Sequence, residues 1–89
     1  MQKKTYPADV ICVCQADGGL RPIRLRVEAA PCQYQTIRIL KVLKEERIAY
    51  PGAEARIYSC QAAVGEKDIC VEIRFSVRNQ TWCILSWQV

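Results

Sequence analysis

Ile23-Arg24-Leu25-Arg26-Val27-Glu28 alternates apolar and charged residues with period two. Successive side chains of a strand point to opposite faces, so this stretch predicts a β-strand with one apolar face and one charged, mainly cationic, face. The same period recurs in Ile69, Val71, Ile73 and Phe75, with Cys70, Glu72, Arg74 and Ser76 between them. Outward from these two anchors the rest of the chain falls into short strands and turns. Residues 8–15 read as a first strand, and Ala16-Asp17-Gly18-Gly19 supplies the positive φ that a tight hairpin demands. Residues 20–28 return as the second strand, and Pro22, lacking an amide donor, belongs on an edge or beside a bulge. Residues 29–33 break the pattern and form the next connection. Residues 54–62 make a further strand in which Tyr58, Cys60 and Ala62 share a face. In the last strand, residues 81–88, Trp82 and Ile84 take the core parity and Cys83, Leu85 and Trp87 the other.

Residues 34–47 can be read in two ways. Ile37, Leu40 and Leu43 recur at helical spacing, yet Ile39 and Val42 spread apolar side chains over more than half of such a helix. A strand fits better if a bulge falls near Ile39-Leu40, because Ile37 and Ile39 share one parity while Leu40 and Val42 share the other. The expected fold is therefore all-β, a small antiparallel barrel or strongly bent sheet, SH3-like or OB-like, of five or six strands with at most one short helix. Closure is favoured because a flat sheet this small leaves a face unburied and two edges open. With 89 residues the chain has the length of one domain, residues 1–89.

The basic start Met1-Gln2-Lys3-Lys4 is followed by Pro7 and Asp9 and then by an apolar run of only five residues, residues 10–14. That is too short for a signal peptide, and a membrane-spanning helix needs roughly 20 apolar residues, so a cytoplasmic chain without a membrane role is expected. Six cysteines invite a disulfide framework. Five of them, Cys12, Cys14, Cys60, Cys70 and Cys83, lie in predicted strands, where a free thiol acts as a small buried hydrophobe, and Cys60 and Cys12 are expected in the core. No metal is expected, since the nearest pair is Cys12-Val13-Cys14 and there is no histidine to complete a mixed site.

The net charge of +4 is unevenly spread. Residues 20–47 hold seven basic residues (Arg21, Arg24, Arg26, Arg38, Lys41, Lys44 and Arg47) against three acids (Glu28, Glu45 and Glu46), and the rest of the chain sums to zero. If the second and third strands pair, Arg24, Arg26, Arg38 and Lys41 form one cationic field able to meet nucleic acid or an acidic protein surface. Arginines on a wet strand face also serve solubility, so a solubilising surface is the competing reading. Tyr34, Tyr50 and Trp87 are candidate stacking platforms for bases, although a small barrel is expected to draw most of its aromatic residues into the core. Catalysis is not expected. No histidine stands ready as a base, no glycine loop cradles phosphate, and the carboxylate pairs Glu45-Glu46 and Glu66 with Asp68 fall in predicted loops or strand ends.

The succession Arg21-Pro22-Ile23-Arg24-Leu25-Arg26, Tyr34 leading into Ile39-Leu40-Lys41-Val42, Gly52 before Tyr58-Ser59-Cys60, and Thr81-Trp82-Cys83-Ile84 resembles a small uncharacterised β domain of Gram-positive bacteria, in some genomes encoded near Y-family DNA polymerases. The resemblance spans residues 10–85. The chain departs from that pattern in its cysteine content and in Lys44-Glu45-Glu46-Arg47. It implies a bacterial stand-alone accessory or binding domain connected with DNA repair, with no established activity to carry over, and no cofactor is expected. The sequence thus points to a non-enzymatic binding module; the alternative is a protein-interaction or structural module acting by edge-strand pairing or homodimerisation.

Overall fold

The structure is a computed structural model that describes residues 5–88, so the basic start Met1-Gln2-Lys3-Lys4 lies outside the described residues. Six strands follow one another: β1 (Tyr6–Cys14), β2 (Leu20–Ala30), β3 (Gln33–Ile48), β4 (Ala55–Val64), β5 (Lys67–Ser76) and β6 (Thr81–Gln88). There is no helix among the described residues, and residues 34–47 belong to the long strand β3. Each strand pairs antiparallel with the next, and β1 closes on β6 to complete a barrel. The sequential order is that of an up-and-down meander, not the Greek-key order of an OB barrel.

Two hairpins show how local chemistry sets the turns. Val64 pairs with Lys67 across the two-residue loop Gly65-Glu66, and Gly65 has φ +59°, the glycine-first pattern of a type II′ turn. Residues 29–33 form a tighter connection than expected, because β2 runs to Ala30 and β3 begins at Gln33. Only Pro31 and Cys32 lie between them, and Cys32 takes a left-handed φ of 62°.

The core gathers Leu25, Val27, Ile37, Tyr58, Cys60, Val71, Ile73 and Ile84, with Trp82 and Phe75 packed against it. The β5 alternation is kept in full: Ile69, Val71 and Ile73 are buried while Cys70 and Arg74 are exposed. Elsewhere the pleat is interrupted. Cys12 pairs with Pro22 but Ile11 pairs with Arg24, which leaves Ile23 as an extra residue on β2. The expected place of Pro22 beside a bulge is observed, and its ring is fully buried. In β3, the partners of Ile39 and Lys41 are Ala62 and Gln61, and those of Val42 and Lys44 are Cys60 and Ser59, so Leu40 and Leu43 are both extra. Leu85 is skipped in the same way between β5 and β6.

Three of these bulges turn an aliphatic side chain away from the core: Ile23 is 40%, Leu40 55% and Leu43 52% exposed. Three sequence expectations change as a result of the bulges. Ile23 leaves the apolar face assigned to it, since the pleat switches phase between buried Pro22 and buried Leu25. The bulge near Leu40 is present, but a second one three residues later accounts for the helix-like spacing of Leu40 and Leu43. The bulge at Leu85 places Trp87 opposite buried Val71, on the same inward parity as Trp82 and Ile84. Cys12 is half-buried rather than in the core, because it lies toward the rim where β1 ends, whereas Cys60 is fully buried.

Candidate functional site

β2 and β3 pair from Arg24 opposite Arg38 to Ala30 opposite Gln33, so their outer residues share one face. Arg24, Arg26, Arg38 and Lys41 are all exposed on it. Arg24 and Arg38 are direct cross-strand partners, a like-charge placement that disfavours pairing. Arg24 and Lys41 make no ion pair or side-chain hydrogen bond among the described residues, and Arg38 donates through Nη2 to the Gly65 carbonyl at 3.4 Å.

Arg26 is different. Its Nη2 lies 2.7 Å from Asp9 Oδ2, and the guanidinium stands 4.8 Å from the centre of the Tyr34 ring. The hydrogen bond and charge of Asp9 hold the Arg26 pKa above its ordinary value. Farther along β3, Lys44 pairs with Glu46 at 2.7 Å and Arg47 with Glu45 at 3.5 Å. The seven basic residues of the segment therefore divide. Arg26, Lys44 and Arg47 are neutralised locally, while Arg21, Arg24, Arg38 and Lys41 carry the field. In the sequence Arg21 is legible only as part of the charge count; its place beside the others follows from the bulge at Ile23.

The aromatic candidates are mostly on the surface, contrary to the expectation that the core would draw them in: Tyr34 is 59%, Tyr50 67% and Trp87 45% exposed. Tyr34 stands beside the basic face through Arg26, whereas Trp87 packs on Tyr6 with ring centres 5.1 Å apart at a barrel end.

A second feature lies beside the basic face. Beyond the Arg24–Arg38 pair the ladder between β2 and β3 stops, although β2 continues to Leu20 against β1 and β3 to Ile48 against β4. The two strands diverge around a groove of about 570 Å³. Leu20, Pro22, Ile39, Val42 and Tyr58 supply apolar lining, and Arg21, Lys41 and Glu45 supply charge. The Tyr58 hydroxyl is sealed from solvent, within reach of Glu45, its cross-strand partner on β3, and of Arg56. Burial raises its pKa; Glu45 adds to that effect and Arg56 opposes it.

Among the described residues no group of three or more His, Cys, Asp or Glu converges as metal ligands. No helix among them is long and apolar enough to cross a membrane. Comparison with protein families, with curated proteins and with solved structures finds no match.

Proposed function

We propose that the chain is a non-enzymatic, cytoplasmic binding module that contacts nucleic acid, or the acidic surface of a protein that handles it, through the outer face of β2 and β3. The observation that carries this reading is Arg24 directly opposite Arg38 with no acid between them. Facing like charges cost stability, so their retention is rational where a polyanion supplies the missing counter-charge. Lys41 extends the same field along β3, and Tyr34 offers an exposed ring beside it for stacking on a base. The resemblance of residues 10–85 to a Gram-positive β domain near DNA polymerases is in keeping with such a module.

The test is titration of a fluorescent single-stranded oligonucleotide at several salt concentrations. Arg24, Arg38 and Lys41 replaced together by Glu should abolish binding without lowering the melting temperature. Arg26 is left intact because its carboxylate replacement would face Asp9. Single replacements should each flatten the salt slope by about 0.7 to 0.9 for every phosphate that the side chain neutralises. Wild-type protein that ignores both DNA and RNA at low salt overturns the nucleic-acid reading.

A second reading rests on a separate observation. Among the described residues, β3 has a neighbour on one side only from residue 39 to residue 48. An open edge of that length is where a partner strand or a second copy of the chain can add, and such association persists as salt rises.

A further inference from the structure

The groove between the diverging halves of β2 and β3 combines three properties that neither a wet basic face nor a simple core defect requires. Beyond Arg38 its β3 wall is a strand paired with β4 on one side and, among the described residues, with nothing on the other. Leu20, Pro22, Ile39 and Val42 make part of its lining apolar. Two cations without ion-pair partners among the described residues, Arg21 and Lys41, stand at its border. The volume of about 570 Å³ lies within the range of sites that enclose a ligand.

We propose that this groove accepts an extended acidic peptide segment of a partner protein, which adds to the free edge of β3. This deepens the edge-strand reading, on which it rests, and shares only Lys41 with the nucleic-acid reading. The open edge offers main-chain donors and acceptors, and the apolar lining takes alternate side chains of an extended peptide. Charge complementarity selects the partner. Arg21 and Lys41 border the groove without ion-pair partners among the described residues, whereas Glu45, the acid in its lining, is engaged by Arg47. The bulges at Leu40 and Leu43 shape the edge against indiscriminate pairing, so a flat generic strand gains little there.

The experiment is selection from a library of random linear decapeptides against the immobilised full chain, followed by anisotropy titration of the enriched peptide and amide exchange of the complex. Enriched sequences should alternate apolar residues with Asp or Glu, and their binding should slow exchange at amides of residues 39–45. Arg21→Glu should bind the peptide about tenfold more weakly while melting no lower than the parent. A selection without acidic consensus, protection confined to other strands, or equal affinity in Arg21→Glu overturns the proposal. Protection of residues 39–45 by the oligonucleotide in place of the peptide overturns it as well. The double variant Arg24→Glu, Arg38→Glu separates the two sites: it should lose oligonucleotide binding and keep peptide affinity within about twofold, since both residues lie outside the groove.

Discussion

Cys60 shows how a single buried side chain ties the barrel to pH. It faces Val42 and Val71 across its two neighbouring strands, and burial alone pushes its thiol from 9.0 up to about 11. Below pH 9 the folded and unfolded chains both hold the protonated thiol, so it adds no pH dependence. Between 9 and about 11 only the unfolded chain ionises. The unfolded state then binds fewer protons, and stability falls with rising pH by about 1.4 kcal/mol per unit. Tyr58, whose pKa is also raised chiefly by burial, acts in the same direction. Thermal melts across pH 8 to 11 should therefore show a steep loss above pH 9. Cys60→Ala should start less stable, because it packs less well, but decline more gently over that window. An alanine variant with the parent's slope would show that this thiol is not the group responsible.

At the scale of elements, the bulges decide which face each apolar residue occupies. Val42 and Leu43 are adjacent and both aliphatic, yet Val42 packs on the core and Leu43 is mostly exposed. Leu43→Glu should change stability by no more than about 0.5 kcal/mol, as for ordinary surface substitutions. Val42→Glu places a carboxylate at a half-buried position opposite Cys60 and should cost about 1 to 3 kcal/mol, as chemical denaturation would measure. Equal effects at the two positions would remove the second bulge. The same contrast explains how far the sequence can be read. In β5 one phase of alternation runs unbroken, so its core residues follow from the residues alone. In β2 the apparent run from Ile23 to Val27 hides a phase change, because Leu20 and Pro22 belong to one phase and Leu25 and Val27 to the other. A bulge adds one residue against a partner strand, so its position depends on a pairing that the local sequence does not contain. Trp87 takes the face opposite to the expected one for this reason. The basic face is legible from charge counting, but the local neutralisation of Arg26, and the groove beside it, arise only from strand register.

At the scale of the molecule, closure is uneven. Among the described residues, Tyr6, Pro7 and Ala8 form the seam of β1 with β6, opposite Ile84, Cys83 and Trp82, whereas β4 and β5 pair over ten positions, from Ala55 with Ser76 to Val64 with Lys67. Pro7 contributes no amide donor to that short seam. The barrel thus has one weak joint, between its first and last strands, and one divergence, between β2 and β3. Local opening free energies follow paired length and burial, so the weakest seam should separate before the rest unfolds. Amide exchange should then rank the strands: Tyr6 and Ala8 should exchange well before the central amides of β4 and β5, which should open only with global unfolding. Ala8→Pro, at a half-buried position in the seam, should speed exchange in β1 and β6 while leaving β4 and β5 protection near the parent's. If all six strands exchange at one common free energy, the barrel opens as a single cooperative unit and the seam has no independent motion. If the seam opens first, β2 and β3 keep the arrangement of Arg24, Arg38 and the adjoining groove while β1 and β6 part, because the β2–β3 and β3–β4 ladders do not depend on the β1–β6 pairs.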